Sequence, residues 1–187
     1  MSTSRQRRRL ADRFTAGLAD LPVPATPDVL FAALTRVAGE VRGREVVLLR
    51  EIFPPQTASG LWLQLESQDI LVVDERAAPW HQLVIFFHEV WHMLEDDCGM
   101  HTGDAHVAAR VLNRRDDPGA AAVSIAARTG FSTRAEQDAE RFGLLMGQRL
   151  REWLHTGPAA PAPREPAPDS VATRIEAALG YCRTPRG

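Results

Sequence analysis

The stretch VIFFHEVWHML, residues 84 to 94, constrains the fold more than any other part of the chain. It contains no Gly or Pro, and its surroundings read as one helix over 81–95. At ~100° per residue, His88 and His92 lie ~40° apart, one turn along the same face. Leu83, Phe87, Val90 and Leu94 cluster on the roughly opposite side. Such a helix has a back that can be anchored in a core and a front that aims two imidazoles at one point. That is what a metal site needs. Glu89, beside the pair, is placed to reach a water on that metal rather than to act as a third ligand from the same turn. The competing reading is an amphipathic helix with incidental histidines. With six His and 12 Glu in 187 residues, a chance His-Glu-x-x-His is about a one per cent event, so the rest of the sequence has to decide.

The length suits one ordinary domain with some tail. At 44% hydrophobic, the chain can build a core of useful size. A net charge of -2 removes any global electrostatic case for nucleic acid or an anionic membrane. All 22 basic residues are Arg, which excludes lysine Schiff-base and lysine general-base chemistry. Cys98 and Cys182 are too few for a disulfide scaffold. The start, MSTSRQRRRL, is not followed by an apolar signal region, and no apolar run is long enough to span a membrane. The expectation is a soluble, cytoplasmic protein.

Three regions are expected: a helix and linker over 1–27, a catalytic-type domain over 28–155, and a Pro-rich linker with a short helix over 156–187. Residues 4 to 20 read as a helix with Leu10, Phe14 and Leu18 on one stripe. Its Arg run is read as a solvated helix end, with phosphate contact as the alternative. LPVPATP, 21 to 27, is a linker, and 28 to 42 is a second helix with Leu30, Leu34 and Val37 inward. EVVLLREIF (45–53), SGLWLQLES (59–67) and DILVVDE (69–75) are short, β-rich and separated by turn residues. They predict a small, mainly antiparallel sheet, with Ser67-Gln68-Asp69 as a tight hairpin connection. Helices are expected at 103–112 and 120–128, and a long one at 132–155 with a capping-type start at Ser132 or Thr133 and Glu136. The fold class is α+β.

A catalytic zinc takes three protein ligands and leaves one position for water. No third His closes the short loop after His92 in the extended form of the motif, since His101 lacks the Gly-x-x-His ending. The third ligand is therefore expected to be a carboxylate on the 132–155 helix. The apolar stripe there is Ala135, Ala139, Phe142, Met146, Leu150 and Trp153. Glu136 and Asp138 each lie ~80° from its centre on opposite edges, and Glu140 ~120° away. Periodicity leaves Glu136 and Asp138 tied. Gly143 and Gly147 share the Glu136 edge, where small residues allow close approach to the 81–95 helix, and this tips the choice to Glu136.

The segments TASGLWL and ILVVDE, then HQLVIFFHEVWHML, then EQDAERFGLLMG, resemble the ImmA/IrrE family of zinc metallopeptidases. The resemblance spans roughly residues 28 to 155, with two motifs in the family's order. It implies a zincin-like fold, with the small sheet packed on the His-Glu-x-x-His helix. It implies zinc ligands His88, His92 and Glu136. It also implies selective cleavage of a helix-turn-helix repressor encoded nearby, in stress or mobile-element control. Some relatives are labelled toxin components of toxin–antitoxin pairs. The chain departs from the family pattern at Glu140, where Asn is usual, at Gly143, where Ala is usual, and at Trp91, where Gly is usual. Trp91 is expected to project beside the site, narrowing a cleft or anchoring a substrate.

In the enzymatic reading Glu89 is the general base of a zinc endopeptidase. An oxyanion donor, often His or Tyr, is also required, and Tyr181 in the tail, His101, His106, His155 and Arg side chains are the candidates. The alternative function is a metal-binding regulatory or toxin component that keeps the zinc site and cleaves little. A third possibility is a DNA-binding or structural helical protein using the Arg-rich start. Cys98, His101, Asp104 and His106 read as a polar loop, with an added ligand or thiolate–metal chemistry at Cys98 as the alternative.

Overall fold

The computed structural model describes residues 3–55, 59–95 and 133–154. All of them lie within one unit, Met1–His155. The expected helices at 103–112 and 120–128, and the whole 156–187 region, lie outside the described residues. So do Cys98, His101, Asp104, His106, His155, Tyr181 and Cys182. Among the described residues the fold is α+β, with four α-helices and one three-stranded sheet. None of these helices is long and apolar enough to cross a membrane.

Helix α1 spans Thr3–Ala16 and α2 spans Pro27–Arg42. Phe14 and Leu18 are buried, with Leu10 packed against the same core. Pro27 opens α2, where its missing N–H is not needed and its fixed φ suits the first turn. Gly43 closes α2 in the left-handed conformation (φ 77°), and its N–H donates to Gly39 O at 2.8 Å. Leu30, Phe31, Leu34, Val37 and Ala38 form the buried face of α2. The segment between the helices is not a free linker: Ala25 is buried, and its N–H donates to Trp153 O at 2.8 Å.

The strands are β1 (Glu45–Glu51), β2 (Gly60–Gln64) and β3 (Gln68–Asp74), in the order β1-β3-β2. The expected mainly antiparallel sheet is corrected here. β3 pairs antiparallel with β2 over five positions but parallel with β1 over seven. The reason lies in β3, QDILVVD. Its Ile70, Leu71, Val72 and Val73 are all fully buried, so both faces must be covered and both edges paired. The chain leaving β1 therefore crosses past β3 before β2 forms. The hairpin also comes earlier than expected. Leu65 N–H donates to Gln68 O at 2.9 Å, so Glu66 and Ser67 turn the chain while Gln68 and Asp69 already belong to β3.

Helix α3 spans Pro79–Glu95 and α4 spans Thr133–Arg149; one 3-10 turn, Arg151–Trp153, follows. Leu83, Phe87 and Val90 are fully buried, as the periodicity predicts. However, Ile85, Phe86, Trp91, Met93, Glu89 and His92 are buried too. A helix covered nearly all round is a central helix rather than a one-sided one. It packs on β2, β3 and α2 as well as on α4. Phe87 meets Phe14, Phe86 and Phe142 edge-on, with ring centroids 5.0, 5.1 and 5.7 Å apart.

On the far side of the sheet a smaller cluster gathers Phe53, Leu61, Leu63, Leu65, Ile70 and Val72. Trp62, Leu71 and Val73 face the helical side. This is the period-2 alternation of a strand. A buried carboxylate ties α2 to the sheet. Asp69 is fully buried and takes Arg42 Nε at 3.1 Å, Arg44 Nε at 3.5 Å and Trp62 Nε1 at 3.0 Å. A buried charge held this way keeps its lone pairs satisfied.

Candidate metal centre

His88 and His92 lie in the second half of α3, one turn apart. Their Nε2 atoms are 3.1 Å from each other. Glu136 comes from the first turn of α4 and reaches both rings. Its Oε2 is 3.5 Å from His88 Nε2 and its Oε1 is 3.4 Å from His92 Nε2. One donor atom from each of the three lies within 4.8 Å of the other two.

The reason these helices meet so closely is in their glycines. A Cβ added at Gly143 would lie 2.6 Å from Val84 O, and one at Gly147 would lie 2.7 Å from Val84 Cγ2. Trp80 Nε1 also donates to Gly147 O at 3.0 Å. Helix α4 therefore lies backbone-close against α3, which brings Glu136 over the histidine turn. Phe142 fills the adjacent gap against Trp91, with centroids 5.2 Å apart. Trp91 is thus a core residue, 3% exposed. The expectation that it projects beside the site is corrected: the side of α3 it occupies is covered by α4.

The donor set fits a metal. Ligands ~2.05 Å from a tetrahedral zinc sit ~3.3 Å from one another. The two imidazole nitrogens, 3.1 Å apart, are near that spacing, and Glu136 turns one oxygen to each ring, Oε2 to His88 at 3.5 Å and Oε1 to His92 at 3.4 Å. Burial lowers the pKa of both rings. His92 is brought down to about 3, first by burial and then by the neighbouring His88. Burial likewise lowers His88, with the Glu140 charge working against it. Both rings are therefore neutral at pH 7, the state that ligates a metal. His92 is buried, while His88 and Glu136 are partly exposed, so the cluster has a solvent-facing side. Two neutral imidazoles and a carboxylate leave one coordination position of a tetrahedral ion for water.

Asp138 is not at this point. It pairs with Arg7 of α1, and Arg141 Nη1 lies 3.7 Å away. Arg7, from the Arg run, is thus drawn into the fold. Glu89 sits between the two histidines in sequence and is buried. Its carboxylate faces the start of β2, where a Cβ added at Gly60 would lie 2.6 Å from Glu89 Oε1. Gly60 is not among the residues that the motif spacing singles out. The available signal was a glycine opening a β-rich run, which often marks a close approach of another group. Glu95 is exposed and accepts a hydrogen bond from Gln6 Nε2 at 2.5 Å. No family model, curated protein or solved structure matches the chain.

Proposed function

We propose that this chain is a zinc-dependent endopeptidase of zincin-like design, in which His88, His92 and Glu136 hold the metal and Glu89 is the general base. The observation that carries the reading is the meeting, from two helices far apart in sequence, of two imidazole nitrogens 3.1 Å apart with the two oxygens of one carboxylate, 3.4 and 3.5 Å from them. Zinc held there would supply a Lewis acid, lowering the pKa of a coordinated water towards ~7 and polarising the scissile carbonyl. The Glu89 carboxylate takes a proton from the attacking water and returns it to the leaving amine. The resemblance to ImmA/IrrE peptidases makes a helix-turn-helix repressor the substrate to try first. The reaction would take place in the cytoplasm.

A second reading keeps the metal and removes the chemistry: a metal-binding regulatory or toxin component with little proteolysis. It differs from the first in needing no oxyanion donor, a role whose His and Tyr candidates, His101, His106, His155 and Tyr181, lie outside the described residues. Glu89→Gln separates the two readings. In the peptidase reading, zinc stays bound and cleavage of the repressor falls by about 100-fold or more. Unchanged biological activity in Glu89→Gln, with loss in His88→Ala, would support the regulator instead.

A further inference from the structure

We infer that Gly60 is a positioning residue for Glu89: the absence of a side chain at the first position of β2 leaves the space in which the Glu89 carboxylate is held. The inference rests on the proposed role of Glu89. Gly60 lies at the β2 end paired with Val73. The three atoms nearest to a Cβ built there are Ile85 Cγ2 at 2.5 Å, Glu89 Oε1 at 2.6 Å and Glu89 Cγ at 3.0 Å. None belongs to a metal-ligating residue. Ile85 and Glu89 are one turn apart on α3, so a single methyl group would press on one stripe of that helix. A glycine weakens a strand. Here it leaves room for the reacting carboxylate beside the strand.

The size of the displacement decides the effect. Restoring ordinary contact from 2.6 Å requires the carboxylate to move by ~0.5 to 1 Å, beyond the tolerance of a catalytic group. A carboxylate is the far end of a flexible side chain, so it can move while the fold stays intact. The expected change is therefore in the base and not in the metal ligands. A misplacement of this size lowers turnover by about 10- to 100-fold.

The test uses the full chain loaded with cobalt in place of zinc. The visible spectrum is titrated with pH in wild type, Glu89→Gln and Gly60→Ala, beside cobalt content. The expected result is undiminished cobalt in all three. The spectral midpoint of Gly60→Ala moves in the same direction as that of Glu89→Gln and at least half as far. Where a cleavage assay is in hand, kcat falls and KM stays. A wild-type midpoint in Gly60→Ala, beside a shifted one in Glu89→Gln, would overturn the positioning role and leave the base role standing. An unshifted Glu89→Gln would overturn both. If Gly60→Ala does not fold, Gly60→Ala in an Ile85→Ala background removes the 2.5 Å contact and keeps the one to Glu89. It should show the same shift relative to Ile85→Ala alone, and a midpoint equal to that of Ile85→Ala would refute the role.

Discussion

Burial holds His92 neutral, and that has a cost that pH exposes. Its pKa is about 3 in the folded chain against an ordinary value of ~6.5 when unfolded. Between these values the unfolded chain binds the proton and the folded chain does not. Stability is therefore full above ~6.5 and declines as pH falls towards about 3. His88 is shifted in the same direction by burial, so it adds to the decline. Metal-free protein is expected to unfold at a lower urea concentration at pH 5 than at pH 7.5, with a loss on the order of one to a few kcal/mol. An unchanged urea midpoint would mean that the rings are hydrated in the folded state. A bound metal opposes acid in the same range, because it and the proton compete for the same nitrogens.

Between α3 and α4 the decisive feature is their close approach. A Cβ at Gly143 would lie 2.6 Å from a main-chain oxygen, Val84 O, and backbone does not yield cheaply. Gly143→Ala should cost about 1–3 kcal/mol of stability through overpacking. It should also weaken zinc binding, since Glu136 lies two turns away on the same helix. Calorimetry and a zinc-indicator titration would check both effects. A variant with unaltered affinity would show that Glu136 is placed independently of this contact. Much at this scale was legible in the sequence. The stripes of α2 and α4, the histidine face of α3 and the glycine edge of α4 all follow from a period of 3.6. The sheet was less so. A period of 2 tells which face a side chain takes but not which strands are neighbours, and β3 took the centre because its four-residue run Ile70–Val73 is buried on both faces. Trp91 was misjudged because the helix angle alone does not say how much of the circumference α4 covers. Gly60 was missed because its partner, Glu89, is distant in sequence.

Taken whole, the unit wraps α3 with the sheet on one side and α4 on another. The N-terminal segment is stitched to α4 and the turn that follows it by Arg7 with Asp138, Asp12 with Arg149 at 2.7 Å, and Ala25 with Trp153. A metal at the cluster would add a tie between α3 and α4, and so should stabilise the folded state by mass action. At free zinc about a thousandfold above Kd the gain is ~4 kcal/mol, or on the order of ten degrees in Tm for a unit of this size. Chelation should lower Tm by that amount, and re-addition of zinc should restore it. A chelator-insensitive Tm would place any bound metal elsewhere.

The central claim is the ligand set, and metal content per purified chain tests it most directly. We would compare wild type, Glu89→Gln and Glu136→Ala after zinc reconstitution and exhaustive dialysis. The prediction is about one zinc per chain in the first two and its loss in Glu136→Ala. A wild-type chain that retains no metal, or a Glu136→Ala chain that retains it in full, would contradict the site described here.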